Sequence, residues 1–116
     1  MFVILDNTMR IAVIGGLDRH APEISLRAAA SGHEVEFHNG HVGGRHAVEL
    51  ESIVARCDLA IVVTSVNSHG AMYIAKKAAG RFGRALLIVR TCGPSRFSTI
   101  LDECASAALA RRASGA

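Results

Sequence analysis

Residues 59–63, Leu-Ala-Ile-Val-Val, are the stretch of sequence that decides the fold. All five side chains are apolar and three of them are β-branched, which is typical of a strand buried on both faces. Such strands lie in the middle of parallel sheets, because helices cover both faces of the sheet there. The stretch therefore predicts an α/β protein with 59–63 as a central strand.

Three more strands and four helices are predicted around this segment. The predicted strands are 10–14, 33–38 and 86–89, and the predicted helices are 21–30, 46–57, 68–82 with Asn67 or Ser68 as its cap, and one that begins at Pro94. Strands that alternate with helices form parallel sheets with right-handed crossovers. The order βαβαβαβα thus predicts a four-stranded parallel sheet with strand order 2-1-3-4, in a three-layer Rossmann- or flavodoxin-like sandwich.

The predicted helices carry apolar stripes that should face the sheet. Three sets of residues form these stripes, one on each of the last three helices: Val48, Ile53, Val54 and Cys57; Met72, Ala75, Ala79 and Phe82; Phe97, Ile100, Leu101, Cys104 and Ala108. Their spacing of three to four residues is that of one helix face. Cys57 and Cys104 are therefore expected in the core.

Composition limits the chain to one globular domain. It has 116 residues, of which 50% are hydrophobic and 20% charged, with a net charge of +3. We expect one domain over 9–113, with 1–8 as an N-terminal extension or alternative start, because Met9 directly precedes the first strand. No apolar run reaches the roughly 18–20 residues of a membrane span. Three cysteines without a C-x-x-C pair indicate thiols, and hence a cytoplasmic protein.

Polar and glycine residues follow every predicted strand, at the edge where ligands bind in open parallel sheets. The candidate ligand-binding residues are Gly15, Gly16, Arg19, Ser65, Ser68, His69, Arg90, Cys92, Ser95 and Arg96. Helix N-termini near Pro22, Ser68 and Pro94 would add N–H donors for an anion. This pattern predicts a non-catalytic domain that binds or senses a small anionic molecule, such as a phosphate. The G-x-G-x-x-G pattern is absent, which disfavours a dinucleotide.

Two other classes of function stay open at the same edge. A haem- or metal-binding protein would use His38, His41, His69 and Cys92, since imidazole and thiolate bind transition metals; His33 and His46 are expected to be ordinary residues. A small enzyme would combine Ser65, Ser68 and His69 with Asp18, although no nucleophile elbow is present. The sequence does not decide the cofactor.

The composition of the chain indicates which kinds of macromolecular partner to expect. The modest charge and the single Tyr, four Phe and no Trp disfavour a nucleic-acid partner. The sheet would leave two strand edges, and the last helix is rich in alanine. A homodimer would cover exposed strand edges and the last helix, and we therefore expect the protein to form a homodimer.

Several short motifs together resemble the bacterial family known as domain of unknown function 2325. They are Gly15-Gly16, His38-Asn39-Gly40, Ser68-His69, Lys76-Lys77 and the turn from Arg90 to Ser95. The resemblance covers Met9 to Leu101 and implies a small Rossmann-like α/β domain, without implying a particular activity. Histidines are more frequent over 38–46 than in the general pattern, so the resemblance assigns no role to His41 or His46.

Overall fold

The computed structural model describes residues 8–16, 18–65 and 69–103. The strands are β1 (Arg10–Ile14), β2 (Glu34–His38), β3 (Leu59–Val63) and β4 (Ala85–Val89). The helices are α1 (Ala21–Ala30), α2 (Arg45–Arg56), α3 (His69–Phe82) and α4, which begins at residue 94 and is described to residue 103. A short 3-10 turn, Asp18–His20, precedes α1. The predicted alternation of strands and helices is confirmed.

The four strands form one parallel sheet in the order β2-β1-β3-β4, as predicted. In its register, Ile14 at the end of β1 pairs with His38 on one side and with Val62 on the other. All five residues of β3 are buried, which confirms it as a central strand. The chain changes direction across the sheet between β1 and β3, and this is its topological switch point.

Each face of the sheet packs against two helices. Alternate residues of β3 serve the two faces: Leu59, Ile61 and Val63 lie in a cluster with residues of α1 and α4, and Ala60 and Val62 lie in a second cluster with residues of α2 and α3. The first cluster contains Ile24, Ala28, Phe97, Ile100 and Leu101 from the helices, and the second contains Leu50, Ile53, Val54, Ala71, Ala75, Ala78 and Ala79. The two clusters make the predicted three-layer sandwich.

The predicted stripe on α2 was wrong at one position. Val48 is 65% exposed, and Leu50, which the stripe omitted, is fully buried. Residues two apart on a helix point about 200° apart, so Val48 and Leu50 cannot both face the sheet. Leu50, Ile53, Val54 and Cys57 follow the regular helical spacing, and all are buried.

The other predicted helices and strands agree with the structure to within one residue at each described end. Phe82, the last residue of the α3 stripe, is 39% exposed. Phe97, Ile100 and Leu101 are buried as predicted. The proposed caps Asn67 and Ser68, and Cys104, Ala108 and residues 1–7, lie outside the described residues. Over the described ranges, no helix combines the length and the apolar character needed to cross a membrane.

Candidate functional site

A pocket of about 170 Å³ lies at the switch point, beyond the carboxyl ends of the strands. Its walls come from the chain after β1, the end of β3 and the chain after β4. They are formed by Gly16, His20, Val63, Ser65, Thr91, Cys92 and Gly93. This is the edge at which the sequence placed its candidate residues. None of the described residues that line the pocket is acidic.

The turn after β1 brings backbone close to this pocket. Gly15 and Gly16 have φ values of 85° and 90°, in the left-handed region that favours glycine. The N–H of Gly15 donates to the carbonyl of His38 (2.8 Å), which ties the turn to the end of β2. A Cβ at position 16 would lie 3.6 Å from Cγ2 of Val63, so the residue faces β3 at ordinary contact distance. A diglycine turn is therefore required by conformation at this position.

Backbone hydrogen bonds extend the pairing of β3 and β4 beyond the strand ends. The N–H groups of Thr64 and Ser65 donate to the carbonyls of Val89 (2.8 Å) and Arg90 (3.0 Å). These bonds hold Ser65 beside the Thr91–Gly93 turn. The N–H of Phe97 then donates to the carbonyl of Gly93 (2.9 Å), so that α4 starts at the pocket wall. Its first-turn N–H groups point toward the carboxyl edge of the sheet.

The electrostatics of Cys92 indicate a buried thiol near a positive charge. Cys92 is 6% exposed, and burial raises the pKa of its thiol, while the nearby Arg96 guanidinium opposes this rise in pKa without cancelling it. The thiol is thus the stable form near neutral pH, and Cys92 is a poor nucleophile. The positive charge of Arg96 therefore lies near Cys92 in the pocket wall.

The remaining candidate ligand residues are not among the residues that line this pocket. Arg19 lies on the 3-10 turn, Arg90 directly after β4, and Ser95 and Arg96 in the first turn of α4, while Ser68 lies outside the described residues. His69 belongs instead to a groove on α3 of about 410 Å³, formed with Met72, Tyr73, Lys76 and Lys77. His20, Thr91 and Gly93 line the pocket, although the sequence did not select them as site residues. Each lies within two residues of a selected position, on the polar stretches of sequence that follow β1 and β4.

The candidate metal ligands separate into different places. His38 ends β2 and is 6% exposed, and one ligand atom each of His38, His46 and Glu49 lie within 4.8 Å of one another. His41 is close to this group, with its ring centre 6.3 Å from that of His46. Among the residues described, His38, His46 and Glu49 are the only group of three or more His, Cys, Asp or Glu side chains that could hold a metal ion together. The group contains neither His69 nor Cys92.

His38 uses both ring nitrogens for backbone contacts. Its Nδ1 accepts the Gly40 N–H (3.0 Å), and its Nε2 lies 3.1 Å from the carbonyl oxygen of His46. A nitrogen that accepts carries no proton, so the neutral ring holds its proton on Nε2 and donates it to His46. His33 is also buried and accepts the Met9 N–H through Nδ1 (2.9 Å), which agrees with the structural role expected for it.

The protein has a doubly wound sheet of four parallel strands, with helices on both faces and a pocket at the switch point. These features define the class of small Rossmann-like α/β domains. The family model described as "Uncharacterized protein conserved in bacteria (DUF2325)" matches residues 10–104. The chain therefore belongs to this family, and the resemblance found in the sequence motifs is confirmed.

Relatives are found among the UPF0751 proteins of Desulfitobacterium hafniense. A UPF0751 protein of strain DSM 10664 / DCB-2 is 31% identical over 88 residues, which cover 75% of this chain and 86% of the relative. Another, DSY3086 of strain Y51, is 26% identical over 97 residues, covering 82% of this chain and 93% of the relative. No solved structure matches the chain significantly.

Proposed function

We propose that the protein is a non-catalytic domain that binds or senses a small anion in the switch-point pocket. The observation that carries the proposal is the pocket itself, which has about 170 Å³ of space between three strand ends. Pockets for drug-sized ligands measure roughly 300–1,000 Å³, whereas one water molecule occupies about 30 Å³ of liquid. A ligand the size of a phosphate or a small carboxylate therefore suits this space, and a dinucleotide does not.

The polar groups around the pocket favour negative charge. The start of α4 at the pocket wall presents N–H groups and the positive end of the helix dipole. The N-terminus of α1 follows His20 in the pocket wall and has no side-chain cap there, so its positive dipole end also lies near the pocket. Arg96 adds a guanidinium that affects Cys92 in the pocket wall. Together with the non-acidic lining of the described part, these groups support an anion.

Binding without catalysis is the simplest use of these groups. The raised pKa of the Cys92 thiol disfavours nucleophilic attack by that side chain. Asp18 and His69, two members of the candidate enzyme set, lie on the exposed 3-10 turn and on the α3 groove, and neither lines the pocket. A pocket of this size also gives little room to enclose a substrate.

The proposal is tested by thermal unfolding with sodium phosphate and sodium acetate, each compared with sodium chloride at equal ionic strength. A ligand at 100 times its Kd stabilises the folded state by about 2.7 kcal/mol. R96A should weaken this effect, whereas R81A, at the far end of α3 and the opposite edge of the sheet, should leave it unchanged. Equal effects of chloride, phosphate and acetate on the wild-type protein would refute the proposal.

A homodimer and a cytoplasmic location remain predictions. β2 and β4 are the edge strands of the sheet, and Ile88 on β4 is 43% exposed, so a second copy could cover this region. Cys57 and Cys92 are both free thiols, as in proteins of a reducing compartment. Sedimentation equilibrium over a range of concentrations tests the dimer.

A further inference from the structure

A second group of side chains lies at the carboxyl edge of the sheet, away from the anion pocket. It consists of His38 at the end of β2 and of His46 and Glu49 in the first turns of α2. We propose that these three side chains bind a divalent transition-metal ion of the zinc type. The site does not depend on the anion-binding function, since none of the three residues lines that pocket.

The chemistry of the three ligands selects the class of metal. Two imidazole nitrogens and one carboxylate oxygen suit zinc and its neighbours, and this ligand set also leaves coordination positions for water. Calcium and magnesium bind oxygen ligands and are not expected here. His46 and Glu49 are three residues apart on α2, so both side chains lie on the same side of the helix.

The three ligand atoms are somewhat farther apart than they would be around a bound metal ion. The three ligand atoms lie within 4.8 Å of one another, whereas ligand atoms about 2.1 Å from a tetrahedral zinc ion are roughly 3.4 Å apart. His46 and Glu49 are exposed, so their side chains can change rotamer without repacking the core. His38 is buried and supplies the fixed point of the site.

Binding through Nε2 requires two changes at His38: a proton shift on the ring, and a movement of the His46 carbonyl oxygen, which lies 3.1 Å from Nε2 on the side that the metal would occupy. In the structure the neutral ring carries its proton on Nε2, the nitrogen that faces α2, because Nδ1 accepts the N–H of Gly40. A metal on Nε2 displaces that proton, and a proton must occupy Nδ1 for the ring to stay neutral. The hydrogen bonds to Gly40 and to the His46 carbonyl are then lost. Two such bonds contribute little compared with three metal–ligand bonds.

The surroundings leave space for further ligands. His41 is exposed in the loop between β2 and α2, with its ring centre 6.3 Å from that of His46. A Cβ at Gly43 or Gly44 would meet no atom within 4 Å, so the start of α2 is open to solvent. His41 or water can therefore complete the coordination.

The test is calorimetric titration of the full chain, first treated with a chelator, with zinc chloride. We expect one saturable site per chain. E49Q and H46Q, both at exposed positions, should weaken zinc affinity by at least about 10–100-fold, the loss seen even when only a supporting residue is removed. E51Q is the matched control, because Glu51 is an exposed carboxylate of α2 outside the group. It should bind zinc like the wild type.

Nitrogen-detected NMR of the histidine rings gives a readout that a structural role would not produce. Zinc should move the ring proton of His38 from Nε2 to Nδ1 and shift the amide of Gly40. No saturable zinc binding, equal affinities of E49Q and E51Q, or a His38 that keeps its Nε2 proton in saturating zinc would each overturn the proposal. None of these outcomes bears on the phosphate and acetate titrations, so the two proposals can fail separately.

Discussion

Replacement of Gly16 by alanine adds one methyl group at the wall of the switch-point pocket, and the structure separates the two costs of that change. The new Cβ would lie 3.6 Å from Cγ2 of Val63, an ordinary contact that needs no repacking. The backbone, with φ at 90°, is the unfavourable part. A left-handed conformation costs an L-residue about 1–2 kcal/mol, which corresponds to a Tm lower by roughly 4–10 °C for a domain of this size.

The matched control is the same substitution in a helix. Gly80 lies inside α3 and is exposed, and a Cβ added there would meet no atom within 4 Å beyond the helix's own backbone. Alanine there should stabilise the protein by about 0.5–1 kcal/mol. Urea denaturation of the wild type, G16A and G80A therefore gives opposite signs for one chemical change. A wild-type urea midpoint for G16A, beside a raised one for G80A, would refute the requirement for a left-handed residue at position 16.

Three further predictions concern the core, one surface ion pair and one cysteine. Phe97 is fully buried, so F97A should lower the free energy of unfolding by about 3–5 kcal/mol, and F37A, at a ring that is 37% exposed, by less; equal urea midpoints would contradict the described packing. The hydrogen bonds from Arg56 lower the pKa of Glu36, so the pair stabilises the fold above the ordinary carboxyl value of 4.5, and this contribution is lost as pH falls through the lowered value. The stability difference between wild type and R56Q in urea should therefore shrink from about pH 7 to about pH 3, and a constant difference would argue against it. Burial raises the pKa of Cys57 to about 11, so iodoacetamide should modify it much more slowly in the native protein than in urea, as followed by mass spectrometry; equal rates would show that the thiol is accessible.

The fold could be predicted because its signals are local. The run 59–63 is apolar at every position, which places it in the middle of a parallel sheet before any contact is known. Alternation of strands and helices then indicates a doubly wound sheet with right-handed crossovers, for which the order 2-1-3-4 is common. The error at Val48 was avoidable, since the helical period set by Ile53 and Val54 selects Leu50.

The candidate sites could be predicted only in part. Parallel strands end at one edge, so the sequence located the edge that holds the pocket. It could not select His20 or Thr91, because their place in the wall depends on a 3-10 turn and on the path after β4. The meeting of His38 with Glu49 depends on a glycine-rich loop, whose residues have no periodicity from which side-chain directions could be read.

The difference between the two edges of the sheet has a physical basis in hydrogen bonding. At the amino edge, polar side chains hold the backbone in place: His33 accepts the Met9 N–H, a carboxylate oxygen of Asp58 accepts the Arg10 N–H, and Arg84 donates to the Ala55 carbonyl. At the carboxyl edge, the backbone groups at the ends of β3 and β4 bond to each other. Side chains beside these two strand ends are consequently not needed to hold them together and can line the pocket, whereas at the end of β2 the ring of His38 still contacts the Gly40 N–H and the His46 carbonyl. This difference between the edges explains why the connections at the amino edge are short, whereas those at the carboxyl edge are longer and polar. Ligand sites in sheets of this type lie at the carboxyl edge.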